Sequence, residues 1–263
     1  MLSARAMSQI PQRIVCLSAE AADWLWRIGA WESVAGITAY FIQPDGALPK
    51  PHVSGFSSAN LNEITKLNPD LIITFSDVQA KLAAELIHRG FSVLATNQRT
   101  LAETEATLAL LARIVDCERK AEKLLNEFRE RLALVENVTR RPRVYFEEWN
   151  DPIISGIAWV SELIERAGGE DIFTNLRTKR AAQERVVSPE QICQADPEII
   201  FASWCGKPVQ ADEISARHGW NNLAAVREKR IHEISGEDIL QPGFRLVYGY
   251  EKMKRLLAEI DFH

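Results

Sequence analysis

Apolar residues follow two rhythms along this chain. RIVCLS (13–18) is a short β-branched run, and Ala19 to Ile28 then carries its apolar positions at helical spacing up to Gly29, a natural helix stop. VAGITAY (34–40) reads as a second strand, and a loop rich in Pro and Gly leads to HVSGF (52–56). DLIITFSD (70–77) is a continuous apolar run, as expected of a strand buried on both faces. VQAKLAAELIHRG, a helix, and FSVLATN, a strand, complete a first α/β unit. Between Leu101 and Arg141 there is no Gly or Pro, and Leu125, Phe128, Leu132 and Val135 recur at steps of three and four. That stretch predicts one long helix or two in series.

The α/β rhythm then resumes. RVYFEEW (143–149) predicts a strand, Val160, Leu163, Ile164 and Ala167 share one face of a helix closed by Gly168-Gly169, and EIIFASW (198–204) and RIHEIS (230–235) predict further strands before a C-terminal helix through Leu256-Leu257. The expected fold is α/β, with two Rossmann-like lobes: residues 1–112 as the first lobe, 113–141 as a rigid connecting helix and 142–263 as the second. NEITKLNPDLIITFSD (62–77) and EQICQADPEIIFASWC (190–205) superpose without a gap at an offset of 128, which points to related lobes.

Composition narrows the function classes. A net charge of -5 gives no concentrated basic surface, so nucleic acid is not an expected partner. No run reaches the roughly 18 apolar residues of a membrane helix. Cys16, Cys117, Cys193 and Cys205 are spread singly and predict reduced thiols; His52, His88, His218, His232 and His263 form no HxxxH or HxH pair, so no metal site is expected. MLSARAMSQIPQR lacks the apolar core of a secretory signal, so the chain as given is expected in the cytoplasm, or in the periplasm if its start is misassigned or a signal was removed.

In open parallel sheets ligands sit beyond the carboxyl ends of the strands. The residues expected there are Tyr40, Phe56, Phe75-Ser76-Asp77, Glu147-Glu148-Trp149, Ser203-Trp204 and the segment through Gln241-Pro242. Glu147 and Glu148 invite a catalytic reading, but neighbours on a regular strand point to opposite faces, whereas acid/base pairs need facing carboxylates. One glutamate is therefore expected toward a pocket beside Trp149, with the other turned away. Trp24, Trp26 and Trp31 lie on or just after the first helix and are expected to pack against the sheet.

RIVCLSAEAADWLWRIG, the stretch VAGITAYFIQPDGALPKPHVSGFSSANLNEITKLNPDLII, RVYFEEWNDPIISG and GEDILQPG together resemble the helical-backbone (class III) periplasmic substrate-binding proteins of ABC importers, and most the cobalamin-binding branch. The resemblance runs from about residue 13 to 260 and implies two lobes with a ligand cleft between them. It puts Tyr40 and Phe56 where that branch carries aromatic residues against a corrin, and places Glu148 or Trp149 near another aromatic contact. It also implies permease docking through one Glu on each lobe: Glu190 matches the second, while Asn62, followed by Glu63, stands at the first. Glu184 or Arg185 falls where the cobalamin binders have a further pocket Trp.

What the resemblance implies is a monomeric, non-enzymatic protein that binds a corrinoid (cobalamin-like) ligand, with no catalytic cofactor, either for an ABC permease or as a cytosolic corrinoid-binding relative. Tyr40, Phe56, Phe75, Trp149, Trp204 and Pro242 would supply apolar contact, and Asp77, Gln79, Glu147, Glu148 and Gln241 polar contact. Two alternatives stay open: a ferric siderophore or haem binder, for which Lys207 and Arg245 are the nearest cations, and a cytosolic enzyme using Glu147 and Glu148.

Overall fold

The short β-branched runs become strands and the amphipathic runs become helices, in two compact units. A computed structural model describes residues 10–136 and 139–260. The N-terminal stretch through Gln9, residues 137 and 138 of the expected connector, and His263 lie outside the described residues. The first unit runs through Gln98 and takes in Ala102–Glu127; the second is Arg99–Leu101 with the chain from Phe128 onward.

In the first unit the order is β1 (Ile14–Cys16), α1 (Ala19–Arg27), β2 (Val34–Thr38), β3 (His52–Ser54), α2 (Leu61–Leu67), β4 (Leu71–Phe75), α3 (Ala80–His88) and β5 (Val93–Thr96), followed by α4 (Leu101–Ile114) and the start of α5 (Glu118–Arg131). All five strands are parallel, in the order β3-β2-β1-β4-β5. Val15, Leu17, Val53, Ile64, Ile72 and Leu86 form one buried cluster of this unit. Trp24 and Trp31 are buried as expected, their indoles donating to the carbonyls of Leu108 (2.7 Å) and Leu48 (2.9 Å).

The expected connector is not a single helix over 113–141. Asp116 takes a left-handed backbone (φ 56°), which breaks the stretch into α4 and α5, and the helix ends at Arg131. Asp tolerates that conformation better than most side chains because it can bond its own backbone, so the absence of Gly and Pro did not guarantee continuity. The two compact units meet within α5, between Glu127 and Phe128.

The second unit contains β6 (Arg143–Asn150), β7 (Ile153–Ser155), α6 (Ala158–Arg166), β8 (Glu170–Asp171), α7 (Pro189–Ala195), β9 (Ile199–Ala202), α8 (Ala211–Ser215), α9 (Ala224–Arg227), β10 (Ile231–Glu233), α10 (Gly236–Ile239) and α11 (Leu246–Ala258). Its sheet is ordered β10-β9-β6-β7, with β8 beside the start of β6; only β7 runs antiparallel. Gly168 (φ 94°) closes α6, and a Cβ on Gly169 would come within 2.7 Å of Val144 Cγ2, so the pair both turns the chain and lets it lie against β6.

The sequence echo at offset 128 is a structural repeat. α2 and α7 span equivalent positions, Asn60 and Ser188 cap them by accepting from the amides of Glu63 (3.2 Å) and Gln191 (3.3 Å), and Asn68 and Asp196 end them in left-handed conformations. In each unit an arginine that opens the neighbouring strand donates to the last helical carbonyls: Arg13 to Leu67 and Asn68, Arg143 to Ala195 and Asp196. The acid before the following strand, Asp70 or Glu198, accepts the amide of that same arginine at 3.0 Å.

Candidate functional site

The carboxyl end of the first sheet carries the expected aromatic residues in the open. Tyr40, just past β2, is 41% exposed and Phe56, just past β3, is 51% exposed; their rings meet edge to face, 5.9 Å between centroids at 72°. Rings left this exposed in contact with each other form a ready apolar surface for a flat ligand. Phe75 is half-buried at the end of β4, and Asp77 is exposed at the start of the following single turn.

Gln79 corrects an expectation. Its side chain is buried and donates to the carbonyls of Leu17 and Phe56, both at 2.9 Å, while accepting the Phe75 amide at 2.9 Å. Rather than reaching toward a ligand, it ties together the chain after β1, β3 and β4, and so fixes the backbone that presents Phe56.

Glu20, in the first turn of α1, carries a signal that strand-end reasoning passed over. It is buried, and burial pushes its carboxyl up to about 7, with its own backbone amide and the Ser18 hydroxyl drawing it partly back. Cys16 beneath it is raised far above the usual thiol range, by burial and then by the charge of Glu20. Since the folded value lies above the ordinary 4.5, the folded state keeps a proton between pH 4.5 and 7 that the unfolded chain releases. Stability should therefore fall as pH rises through that window, by about 3 kcal/mol in all from this group. Urea denaturation at pH 5 and pH 7.5 should show this decline in the wild type and lose that portion of it in Glu20→Gln; equal declines in both proteins would refute it.

In the second unit the two glutamates diverge as alternation requires, and each is paired with an arginine. Glu147 is fully buried: Arg217 meets it with both terminal nitrogens (Nη2 to Oε1 2.8 Å), the Trp204 indole donates to Oε1 at 3.1 Å, and the Tyr145 hydroxyl donates to Oε2 at 3.2 Å. The expected ligand contact through Glu147 is therefore corrected to a core ion pair. Burial of Arg217 works against its charge, but the hydrogen bond and the charge of Glu147 outweigh it and raise its pKa. Trp204, at 3% exposure, is likewise part of this core and not an open wall.

A β-bulge opposite Ser155 and Ile154 leaves Glu148 on its own side of β6, where buried Arg185 grips both its oxygens (2.6 and 3.0 Å). Arg185, one of the two residues the resemblance set against a further Trp, is thus a buried structural cation. Trp149 is half-exposed; its indole donates to the Asp151 carbonyl at 2.8 Å, and Lys207 lies 4.5 Å above its ring and 4.8 Å from that of Trp204. The Lys207 ammonium donates to the neutral amide of Asn150 at 2.8 Å, whereas Arg245 is held by Glu237 (3.2 Å) and Asp238 (2.7 Å). Gln241 is half-buried and Pro242 buried, so Pro242 offers little open surface.

Of the expected docking residues, Asn62 and Glu190 are both exposed at the second position of the repeated helices. Glu190 has its pKa lowered by the Ser188 hydroxyl and its own amide; Glu63 is engaged by Lys66 at 2.7 Å. Sequence reasoning missed Glu20, Arg185 and Arg217. For the two arginines no local signal existed, since they lie 37 and 70 residues from their partners; for Glu20, the signal was an acid between alanines in the first turn of the helix that follows a buried strand.

Residues 14–237 match the family model described as periplasmic binding protein. The vitamin B12-binding protein of Vibrio parahaemolyticus is 26% identical over 237 residues, covering 88% of this chain and 84% of that one. Among solved structures, the periplasmic vitamin B12 binding protein BtuF of Vibrio cholerae superposes with a TM-score of 0.73 at 23% identity, over 94% of this chain and 97% of that one. The periplasmic heme-binding protein RhuT from Roseiflexus sp. RS-1 superposes at 0.78 with 19% identity, over 94% and 97%. The fold is thus shared by binders of different ligands.

Proposed function

The chain belongs to the periplasmic binding protein family, and from that premise we propose that it is a non-enzymatic receptor for a corrinoid of the cobalamin type, serving an ABC importer. The observation that carries the reading is the exposed Tyr40–Phe56 pair at the carboxyl end of the first sheet, held in place through Gln79. Asp77, exposed beyond β4 of the same sheet, is the proposed polar contact of this unit. Relatives named for vitamin B12 or cobalamin binding support the same ligand class.

A haem or siderophore reading is favoured less by the charges. Carboxylate-bearing ligands call for arginines or lysines free to pair with them. Arg245, Arg217 and Arg185 already hold carboxylates, and the Lys207 ammonium donates to the Asn150 amide. An enzymatic reading loses support for a parallel reason: Glu147 and Glu148 are each committed to an arginine. For delivery, we propose that Glu190 is the acidic contact of the second unit with a permease arginine and that Asn62 takes the corresponding position on the first unit without charge.

Calorimetric titration of the purified protein with cyanocobalamin, cobinamide and haem tests this. The expected result is a corrinoid Kd of roughly 1 μM or tighter, about 8 kcal/mol of binding free energy. Absence of corrinoid binding at about 100 μM would overturn it.

A further inference from the structure

The first sheet has a point where the direction of winding reverses. From β1 the chain moves outward through β2 to β3, and β4 then returns to pair with the other side of β1. Such reversals open a crevice between the loops that leave the two central strands, and ligands of open α/β sheets are bound there. The loops concerned are Leu17–Ser18 running into α1, and Phe75–Ser76 after β4.

Two buried oxygens with no hydrogen-bond partner lie on the β1 side of this point. They are Ser18 Oγ, on a residue 4% exposed, and Glu20 Oε1, on a residue 7% exposed. Buried polar atoms in folded proteins nearly always have partners, so an unmet acceptor at a binding crevice marks a place for a donor from outside the chain. Among the described residues, the strands and helix around Glu20 supply no cation to satisfy it. On β1 the titratable neighbour is the neutral thiol of Cys16, on β2 there is no titratable side chain, and one turn along α1 Asp23 is paired with Arg27 at 2.6 Å.

We propose that Glu20 is a ligand-contacting residue of the first unit, its free oxygen accepting a hydrogen bond from a carboxamide N–H on the rim of the bound corrinoid. The assignment rests on the corrinoid reading above and names the chemistry that would distinguish ligands within the fold: an amide-rimmed macrocycle is accepted, a carboxylate-rimmed one repelled. It also links binding to protonation. A carboxyl held near 7 is part-protonated at neutral pH, and an N–H donor stabilises its ionised form, so binding displaces a proton and weakens as pH falls.

The test is affinity against pH for cyanocobalamin, cobinamide and haem, in the wild type and in Glu20→Gln and Glu20→Ala. Wild-type affinity for both corrinoids should drop about tenfold from pH 8 to pH 6, the span of one proton displaced from a group titrating near 7. Glu20→Gln, which keeps an acceptor, should bind within a few-fold of the wild type at pH 8 with a flat profile; Glu20→Ala should bind more weakly there and also be flat. Any wild-type haem binding should tighten in Glu20→Gln. Identical affinity and pH slope in wild type and Glu20→Gln would overturn the role of Glu20 alone, whereas a wild type that binds no corrinoid would overturn the function on which it rests.

Discussion

Arg217→Met should lower the stability of the folded protein by about 3–5 kcal/mol, because it leaves the fully buried Glu147 carboxylate with two neutral donors in place of a cation. The guanidinium also stacks 4.6 Å above the Trp220 ring, and Tyr145 packs edge to face on that ring at 6.2 Å, so the ion pair sits among the aromatics of the second core. Removing both charges is a different perturbation. Glu147→Leu combined with Arg217→Met takes away the uncompensated charge and should recover most of the loss, since an apolar pair of similar volume often matches a buried ion pair. Urea denaturation of the two variants beside the wild type decides the matter. A loss of less than about 1 kcal/mol in Arg217→Met would show that Glu147 sheds its charge or finds another partner, and would restore it as a candidate for ligand contact.

Tyr40→Ala combined with Phe56→Ala should weaken corrinoid binding by about 100-fold or more while leaving stability nearly unchanged. The two rings are among the most exposed aromatics of the chain, so little of their area contributes to folding, and a bound macrocycle would be what finally buries them. Each aromatic contact removed from a well-packed interface costs on the order of 1–2 kcal/mol, and the two rings support each other through their edge contact, so the double variant should lose more than either single one. Calorimetric titration measures the first effect and thermal denaturation the second. Binding within about fivefold of the wild type would place the ligand elsewhere.

The strands and helices of both units were legible because each obeys a local rule. DLIITFSD is apolar throughout and becomes a central parallel strand; the face of Val160, Leu163 and Ile164 is buried; and the repeat at offset 128 holds down to caps and left-handed helix ends. Of the two readings of the stretch from Leu101, the structure has two helices in series, parted at the left-handed Asp116, a position the apolar spacing does not mark.

The candidate site was legible at Tyr40 and Phe56, whose place just after a strand brings them to the carboxyl edge of a sheet, and at Trp149, next to the last residue of β6. Glu147, Trp204 and Gln79 stand at the same kind of position, yet their side chains are consumed by the fold. Sequence by itself determined which residues reach the strand ends, since alternation and helical period depend on neighbours in the chain. Only the tertiary structure decided which of them remain open to a ligand, because partners such as Arg217 and Arg185 arrive from distant segments, and a buried charge is settled by what lies beside it in space.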